Sequence, residues 1–348
     1  MSNMFRRARS SGRSPIRSSL YLRAIVAALA LAATSAMAAP RPHLRVALGW
    51  LPQADFAGFF AAQANGLYDR AGLDVEIVPG NARNGAVMML ATGAYDFVNV
   101  FNSGVALDMA NVHLPYIAIA AIYQKEPTAI IVHDGPDAPR SLVDLRGYPI
   151  MISPEALDNY WAFLVGRFGY TSSQVRRYTG DSTLFIATPH IAQQGYLTND
   201  VARLHAAGVP IRVFPLADAG YSSYGPIIVA RRALVDQHPE IVQRFLDATL
   251  QGWCLYLHGD RTGTDRLIMA GNPDYTEQNA SDAVAAMRQY QLIEGGDART
   301  QGIGIMTAAR WNAYFQQMQP TGLYPPHMDF STLYTTRFLH HMTCDSGQ

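Results

Sequence analysis

Residues 44–80 read LRVALGWLPQADFAGFFAAQANGLYDRAGLDVEIVPG, and they predict a strand, a helix and a second strand in that order. The first five residues are mostly apolar and predict a strand, which the glycine and proline that follow bring to an end. Small and apolar residues from Phe56 to Ala64 predict a helix, and Asn65-Gly66, which tolerate a left-handed backbone, end it. Alternating acidic and apolar residues over 74–78 predict the second strand. This spacing indicates a βαβ unit of a parallel sheet.

The same alternation recurs along the chain and forms two units. The first continues through predicted strands at 97–100 and 116–123. The second, smaller unit covers the middle of the chain, with predicted strands at 128–132, 149–152, 190–194 and 211–216 and helices at 159–168 and 197–207. The chain is mostly helical from residue 239 onward. We therefore predict an α/β fold with two lobes, mostly parallel sheets and a ligand cleft between them.

The first forty residues predict export. Six arginines precede an apolar run from Ala24 to about Leu31, and small residues follow it up to Ala36-Met37-Ala38. A basic stretch, a short apolar core and an A-x-A ending are typical of a cleaved secretory signal. We predict a signal peptide over 1–38 and a periplasmic mature protein of about 310 residues, which exceeds the usual size of one core. A retained anchor is the alternative, although the run is short for a membrane span.

Charge and cysteine content narrow the function classes. The chain has 27 basic and 27 acidic residues, and loss of the six leader arginines gives the mature chain a net charge of −6. That balance argues against nucleic acid as a partner, since phosphate binding needs a basic patch. Cys254 and Cys344 either form one disulfide in an oxidising compartment or remain two separate thiols. The scattered histidines and the two cysteines show no metal-site spacing, so we predict no metal and no cofactor.

Candidate ligand-binding residues lie at the predicted ends of strands, where α/β sheets bind their ligands. Trp50 follows the first strand and either stacks on a flat ring or packs in the core. Asp55 either accepts hydrogen bonds from a ligand or caps the helix before Phe56. We include Gln53 and Phe56, beside these residues, and Gln124, at a later strand end, in the predicted site.

Other candidates lie where strands give way to helices or where the chain returns to the first unit. Asn99, Asn102 and Ser103 either present a helix N-terminus to a polar ligand or simply cap that helix. Asn159 and Tyr160 begin a helix of the second unit, and either Tyr160 or its neighbour Trp161 supplies a second aromatic face while the other is core. The set is completed by Gln194 and by Tyr221 and Tyr224, which either face the ligand or pack between the lobes.

Several segments, read in order, resemble a known family. They begin at Trp50-Leu51-Pro52-Gln53 and continue with Gly66-Leu67-Tyr68 and the segments Tyr123-Gln124-Lys125-Glu126-Pro127, Gln193-Gln194-Gly195-Tyr196-Leu197-Thr198 and His238-Pro239-Glu240. In this order they are similar to substrate-binding proteins related to thiamine-pyrimidine synthase, the NMT1/THI5-like family. The resemblance implies a type II periplasmic binding protein fold and a role as the solute-binding component of an ABC importer. The ligand implied is a thiamine pyrimidine precursor, a riboflavin-like molecule or a related aromatic heterocycle.

The resemblance also implies how the chain divides. Lobe one is expected to contain 41–132 and 224–340, lobe two 133–223, and a tail 341–348. The chain should therefore cross between the lobes near residues 132 and 223. An inner-membrane ABC permease is the implied protein partner, and we expect a monomer.

An enzyme is the alternative function. The thiamine-pyrimidine synthases of the same family depend on iron and pyridoxal phosphate, and they carry a histidine where this sequence has Phe56 and a cysteine-rich iron motif that is absent here. A phenylalanine cannot donate the ring atoms of a histidine, so the sequence disfavours this activity. A soluble sensory or chaperone-like protein that has kept the fold is a third alternative. Where pyrimidine binders often have an S-E-P triplet, this chain has Asn199-Asp200-Val201, which argues against a pyrimidine ligand.

Overall fold

The computed structural model describes residue 1 and residues 40–80, 86–157, 159–325 and 327–344. The chain divides into a short unit, 1–41, and a large unit, Pro42–Gln348, and all that follows concerns the large unit. The predicted signal peptide, 1–38, lies outside the described residues apart from Met1. Within the described ranges, no helix has both the length and the hydropathy that a membrane crossing requires.

Within the described ranges, ten strands form two sheets of five. The strands are β1 His43–Ala47, β2 Asp74–Val78, β3 Phe97–Val100, β4 Tyr116–Ala121, β5 Thr128–His133, β6 Ile150–Ile152, β7 Val175–Arg177, β8 Ala192–Tyr196, β9 Ile211–Pro215 and β10 Ile227–Arg231. The first sheet has the order β2-β1-β3-β10-β4 and the second the order β7-β6-β8-β5-β9. Each sheet is mixed, because β10 and β5 run antiparallel to both of their neighbours while the other four strands share one direction. The predicted two-lobe α/β fold with mostly parallel strands is confirmed.

Fourteen α-helices are described, and most of the longer ones flank the first sheet. They are α1 Ala57–Ala64, α2 Leu67–Arg70, α3 Ala86–Thr92, α4 Ser103–Asn111, α5 Pro154–Leu157, α6 Tyr160–Phe168, α7 Thr183–Ala187, α8 Asp200–Ala206, α9 Arg232–Gln237, α10 Pro239–His258, α11 Thr262–Gly271, α12 Glu277–Gln289, α13 Ala298–Gln301 and α14 Ala308–Met318. Short 3₁₀ helices lie at Ala54–Phe56, Leu142–Leu145, Ser172–Gln174, Gln319–Thr321 and Phe330–Thr332.

Helices α1 and α10 pack closely because glycines face each other. A Cβ on Gly252 would lie 2.2 Å from the carbonyl oxygen of Gly58, and one on Gly58 would lie 2.1 Å from the ring of Trp253. The apolar face of α10 then covers the first sheet, where Phe245 stacks on Phe97 at 3.7 Å between ring centroids. This packing fixes the 3₁₀ turn Ala54–Phe56, which leads into α1.

Two short segments connect the sheets, residues 122–127 and 216–226. They lie side by side, since Ile122 N donates to Pro226 O at 2.8 Å and Gly225 N donates to Tyr123 O at 3.0 Å. The second segment includes the predicted crossing near residue 223. The first ends before the predicted position near 132, so the lobe bound at 132 is one strand too late: β5 pairs with β8 and β9 in the second sheet. The order of predicted strands had already placed 128–132 with the second unit.

The end of the chain is bound to the first lobe. Cys254, in α10, and Cys344 form a disulfide, so of the two states considered for these residues the chain adopts the bonded one. Tyr334 also forms a parallel β-bridge with Ala118 of β4. The predicted tail is therefore fastened to lobe one at least as far as Cys344.

Candidate ligand-binding site between the two sheets

Buried polar side chains gather where segments of the two sheets meet. Asp55, Asn102 and Ser103 come from the first lobe and Asn159 from the second, and each is at most 6% exposed. A polar group buried without a hydrogen-bond partner costs about 1–3 kcal/mol, so a group of them in one place needs a shared network or a ligand. The contacts divide into two clusters and one isolated carboxyl.

The first cluster surrounds Asp55. Its Oδ1 accepts from the Tyr123 hydroxyl at 2.9 Å and from Thr198 Oγ1 at 2.7 Å, and its Oδ2 accepts from Gln53 Nε2 at 2.8 Å. Thr198 follows β8 of the second sheet, whereas the other members belong to the first lobe. Burial raises the pKa of Asp55, while its three neutral donors act against that rise. Asp55 lies inside the 3₁₀ helix and not at its N-cap, which is Gln53.

The second cluster begins at the N-terminus of α4. Asn102 caps this helix by accepting from Gly104 N and Val105 N at 3.0 and 3.2 Å, so the capping interpretation holds for it. The same Asn102 Oδ1 accepts from Asn159 Nδ2 at 2.9 Å, and Asn159 Oδ1 accepts from the Tyr221 hydroxyl at 2.6 Å. A Cβ on Gly104 would lie 2.5 Å from Asn159 Nδ2. The Asn159 amide therefore lies directly against the first turn of α4, where backbone N–H groups favour polar partners.

Neighbouring groups extend this second cluster. The Tyr221 hydroxyl lies 3.0 Å from the Tyr314 hydroxyl of α14. Ser103 N donates to Ser223 Oγ, and Ser103 Oγ accepts from Tyr224 N. On the side of the second sheet, Gln194 Oε1 accepts from the Tyr160 hydroxyl at 2.7 Å and from Ser153 N at 2.6 Å. The rings of Tyr160 and Tyr221 meet edge to face, with centroids 6.5 Å apart.

The isolated carboxyl is Glu126, which the candidate set from sequence did not include. It is 0% exposed and lies in the first connecting segment. Its Oε1 accepts from the backbone N and the hydroxyl of Thr128, while its Oε2 has no hydrogen-bond partner among the described residues. Burial raises the pKa of Glu126 to about 8. An acidic residue beside a proline, between the apolar stretches 116–123 and 129–132, was the available signal.

Other candidate residues point elsewhere or pack in the core. Gln124 Nε2 donates to the carbonyl oxygens of Ala121 and Ile305, so its side chain faces the C-terminal helices. The Tyr224 hydroxyl accepts from Thr307 N at 2.9 Å, and the Arg310 guanidinium lies 4.1 Å from the Tyr224 ring centroid. Phe56 is a buried core residue, 1% exposed.

Trp50 is partly buried and packs against the same core as Phe56. Asn99 is 1% exposed, and neither polar atom of its side chain has a partner in the described part of the chain. The structure thus brings together, in hydrogen-bonded groups where the lobes meet, the side chains of Gln53, Asp55, Asn102, Ser103, Asn159, Tyr160, Gln194 and Tyr221. The side chains of Trp50, Phe56, Gln124 and Tyr224 do not take part in these groups.

Known proteins share the sequence pattern of this chain. A family model described as NMT1/THI5 like matches residues 53–259, more than half of the chain. The riboflavin-binding protein RibY of Chloroflexus aurantiacus is 24% identical over 325 residues, which cover 88% of this chain and 91% of that protein. A formylaminopyrimidine-binding protein of Halalkalibacterium halodurans is 22% identical over 215 residues, covering 60% of this chain and 65% of that protein.

Solved structures share the fold. The alkanesulfonate-binding protein SsuA of Xanthomonas axonopodis pv. citri, bound to MOPS, matches with a TM-score of 0.63 and 14% identity, covering 86% of this chain and 99% of that one. Two similar structures are described as periplasmic sulfonate-binding proteins, and a Candida albicans protein as having the generic periplasmic binding protein fold. The desulfurization enzyme DszB has the same fold, with a TM-score of 0.57 and 13% identity over 86% of this chain and 97% of that one, so the fold alone does not exclude catalysis. The resemblance predicted from the sequence is confirmed: the chain belongs to the NMT1/THI5 like family.

Proposed function

We propose that the protein is the periplasmic solute-binding component of an ABC importer and that it holds a small planar organic nutrient between its two lobes. The nutrient is a thiamine pyrimidine precursor, a riboflavin-like molecule or a related aromatic heterocycle, and an inner-membrane permease receives it. One observation carries the proposal: buried polar and tyrosine side chains from both lobes meet at one place, although only two short segments connect the sheets. Ligand sites of this kind combine aromatic walls with a few convergent polar groups.

Hinge motion explains how a ligand would enter. The contacts Asp55–Thr198 and Asn102–Asn159 join side chains of different lobes and must break when the lobes separate. The connecting segments are bonded to each other and can remain in place as the axis of that motion. Opening exposes the tyrosines, and closure buries a ligand together with them.

Export belongs to the same proposal. We expect cleavage of residues 1–38 and a mature chain in the periplasm, where the Cys254–Cys344 bond is stable. Amino-terminal sequencing of the periplasmic fraction tests this, and the mature protein should begin at Ala39 or Pro40. A cytoplasmic protein that retains Met1 would contradict it.

The synthase alternative requires groups that this chain does not offer. Phe56 stands in place of the reacting histidine, and both cysteines are bonded to each other, so they are not thiolate ligands for iron. Pyridoxal phosphate is held as a Schiff base with a lysine. The sequence has a single lysine, Lys125, whose side chain is 43% exposed and lies 4.0 Å from Asp218. The residues present therefore do not fit this cofactor pair, and binding without chemistry is favoured.

The decisive experiment identifies what the protein carries. Native mass spectrometry of protein purified from its own periplasm reports the mass of any co-purified molecule. Calorimetric titration then measures riboflavin, formylaminopyrimidine, 4-amino-5-hydroxymethyl-2-methylpyrimidine and MOPS as probes. We expect one planar heterocycle to bind with a dissociation constant in the micromolar range or tighter. Failure of every heterocycle, or turnover of one in place of stable binding, would overturn the proposed function.

A further inference from the structure

The carboxyl of Glu126 differs from the other buried groups of this site. Asp55 has three hydrogen-bond donors that satisfy both of its oxygens, whereas Glu126 accepts close hydrogen bonds at Oε1 alone and has the Asn102 side chain as a more distant donor. Thr128 supplies two donors to Oε1, and Oε2 has no partner among the described residues although Glu126 is fully buried. A native buried carboxyl oxygen without a partner calls for a specific explanation, and a ligand group is one.

The surroundings of Glu126 are aromatic and uncharged. Four tyrosines from four separate elements lie near enough for its charge to act on their hydroxyls: Tyr160 on α6, Tyr196 on β8, Tyr221 in the second connection and Tyr314 on α14. The side chain of Asn102, the cap of α4, is also near enough to favour the ionised carboxyl. Lys125, next to Glu126 in sequence, lies at the surface beside Asp218. Within the described ranges, no basic side chain is therefore a partner of Glu126.

This arrangement determines which ligands the site can accept. A buried carboxylate with an unused oxygen accepts hydrogen bonds and favours positive charge, and tyrosine faces favour it as well. A sulfonate or carboxylate has no N–H to donate to this oxygen, and ionised Glu126 beside it would place two negative charges together in a medium of low polarity, with no arginine or lysine among the described residues to offset them. Resting on the proposed function, we propose that Glu126 Oε2 accepts a hydrogen bond from an N–H group of the nutrient, and that this contact selects neutral or cationic nitrogen heterocycles over anions.

Proton release is a consequence of this contact. Burial keeps the pKa of Glu126 at about 8 before the ligand binds, so the carboxyl is mostly protonated at pH 7. An N–H donor stabilises the ionised form and lowers that pKa, because a hydrogen bond to the charged form favours it. The proton leaves Glu126 for the solvent when the ligand binds. The affinity for the ligand therefore rises by up to about tenfold for each pH unit below pH 8, and it levels off above pH 8.

The test compares probes that differ in a single N–H donor group. Riboflavin is paired with 3-methylriboflavin, which lacks the ring N–H, and 4-amino-5-hydroxymethyl-2-methylpyrimidine is paired with its 4-dimethylamino analogue. Titrations at pH 6, 7, 8 and 9, in buffers with different ionisation enthalpies, report both the dissociation constant and the number of protons released. For at least one pair we expect the N–H form to bind at least tenfold more tightly, with close to one proton released at pH 7. MOPS should not bind.

Two variants connect the result to Glu126. Glu126→Gln should abolish proton release and the pH dependence, and should reduce the preference for the N–H probe to less than threefold. Glu240→Gln, which changes an exposed carboxyl on α10, is the matched control and should behave as the parent does. If Glu126→Gln does not fold, the parent protein alone still decides, through its proton release and its probe preference.

The outcomes separate the two proposals. If neither member of either pair binds, the proposed function is at fault. If both members of a pair bind equally, or binding releases no proton at pH 7, the heterocycle site stands and the role of Glu126 is wrong. Binding of MOPS as tight as that of the N–H probe would also overturn this role.

Discussion

Thr198 Oγ1 donates a 2.7 Å hydrogen bond to Asp55 Oδ1, although the two residues are 143 positions apart and belong to different lobes. Both residues are buried, and Asp55 lies beside the segment that connects the sheets, since Tyr123 donates to the same oxygen. Thr198 is itself close to that connection, because Leu197 N donates to Pro127 O. This hydrogen bond therefore forms when the lobes are closed near their hinge and breaks when they separate there.

Removing this donor should weaken ligand binding. Thr198→Val keeps the shape of the side chain and deletes the hydroxyl, which leaves Asp55 Oδ1 with Tyr123 alone. A typical buried hydrogen bond contributes about 0.5–1.5 kcal/mol, so the dissociation constant of the best-binding probe should rise by up to about tenfold. Stopped-flow measurements should find the increase mainly in the dissociation rate, because the closed form loses a contact. Thr198→Ser, which keeps the hydroxyl, should restore most of the affinity. Equal binding by the valine variant would show that the contact plays no part in closure.

The unfolding free energy should fall as pH rises. The pKa of Glu126 is about 8 in the folded protein, above its usual 4.5, so the folded state holds a proton that the unfolded chain has lost. The stability that this proton provides is complete below pH 4.5 and is lost progressively up to about pH 8. The full loss is at most about 5 kcal/mol, because each tenfold difference in proton affinity between the folded and unfolded states corresponds to about 1.4 kcal/mol. Urea denaturation at pH 5, 7 and 9 measures it.

Glu126→Gln should flatten this profile, since the glutamine does not ionise. The variant should then be more stable than the parent at pH 9. A parent whose stability does not change between pH 5 and 9 would contradict the assignment of this group.

Substitution of Trp50 tests whether its ring stacks on a ligand or only packs in the core. It is partly buried and contacts the core beneath α1, so Trp50→Ala loses apolar contacts in either case. If the ring also stacks on a planar ligand, binding should weaken at least tenfold, for which about 1.4 kcal/mol is enough. Calorimetric titration measures this, and Trp50→Phe should retain part of the affinity. Unchanged affinity in a folded Trp50→Ala variant would assign the ring to packing alone.

The disulfide should contribute to stability and not to binding. Cys254 and Cys344 enclose a long loop, and in the chain-entropy view a bond across 90 residues stabilises the folded state by about 3–5 kcal/mol. The double variant Cys254→Ser/Cys344→Ser should therefore unfold at a lower urea concentration. The parent in dithiothreitol should unfold at the same lower concentration, and both should keep the affinity of the parent. A loss of binding in the folded double variant would indicate that the C-terminal segment reaches the site.

The sequence predicted much of the frame because strand and helix periodicities are local. The strands near 44–48, 74–78 and 97–100 appear close to their predicted bounds. The lobe bound at 132 was wrong, since β5 pairs with β8 and β9, in the unit where the order of predicted strands had placed it. Which sheet a strand joins depends on its pairing with distant segments, and the local periodicity of the sequence gives no information about that pairing.

The sequence predicted site residues well where a strand ends or a helix begins, and less well within the connecting segment 122–127. Asp55, Asn102 and Asn159 follow from their positions at the starts of helices, and their side chains do take part in the buried groups. Gln124 satisfies the same rule but faces the C-terminal helices, while Glu126, two residues later, is buried among tyrosines. In a short irregular segment, the direction of each side chain depends on the backbone path, so the sequence does not distinguish the two.

The position of β10 affects how the molecule can assemble. The strands β5–β9 of the second sheet come from one uninterrupted stretch, 128–215, whereas β10, Ile227–Arg231, inserts between β3 and β4 of the first sheet. If the chain emerges from its N-terminus, all five strands of the second sheet are available before β10 is. At that stage the first sheet still lacks one of its central strands. Contacts close in sequence form sooner than distant ones. We therefore expect the sheet that contains the first strand to be the last one completed, because it needs β10 from residues 227–231.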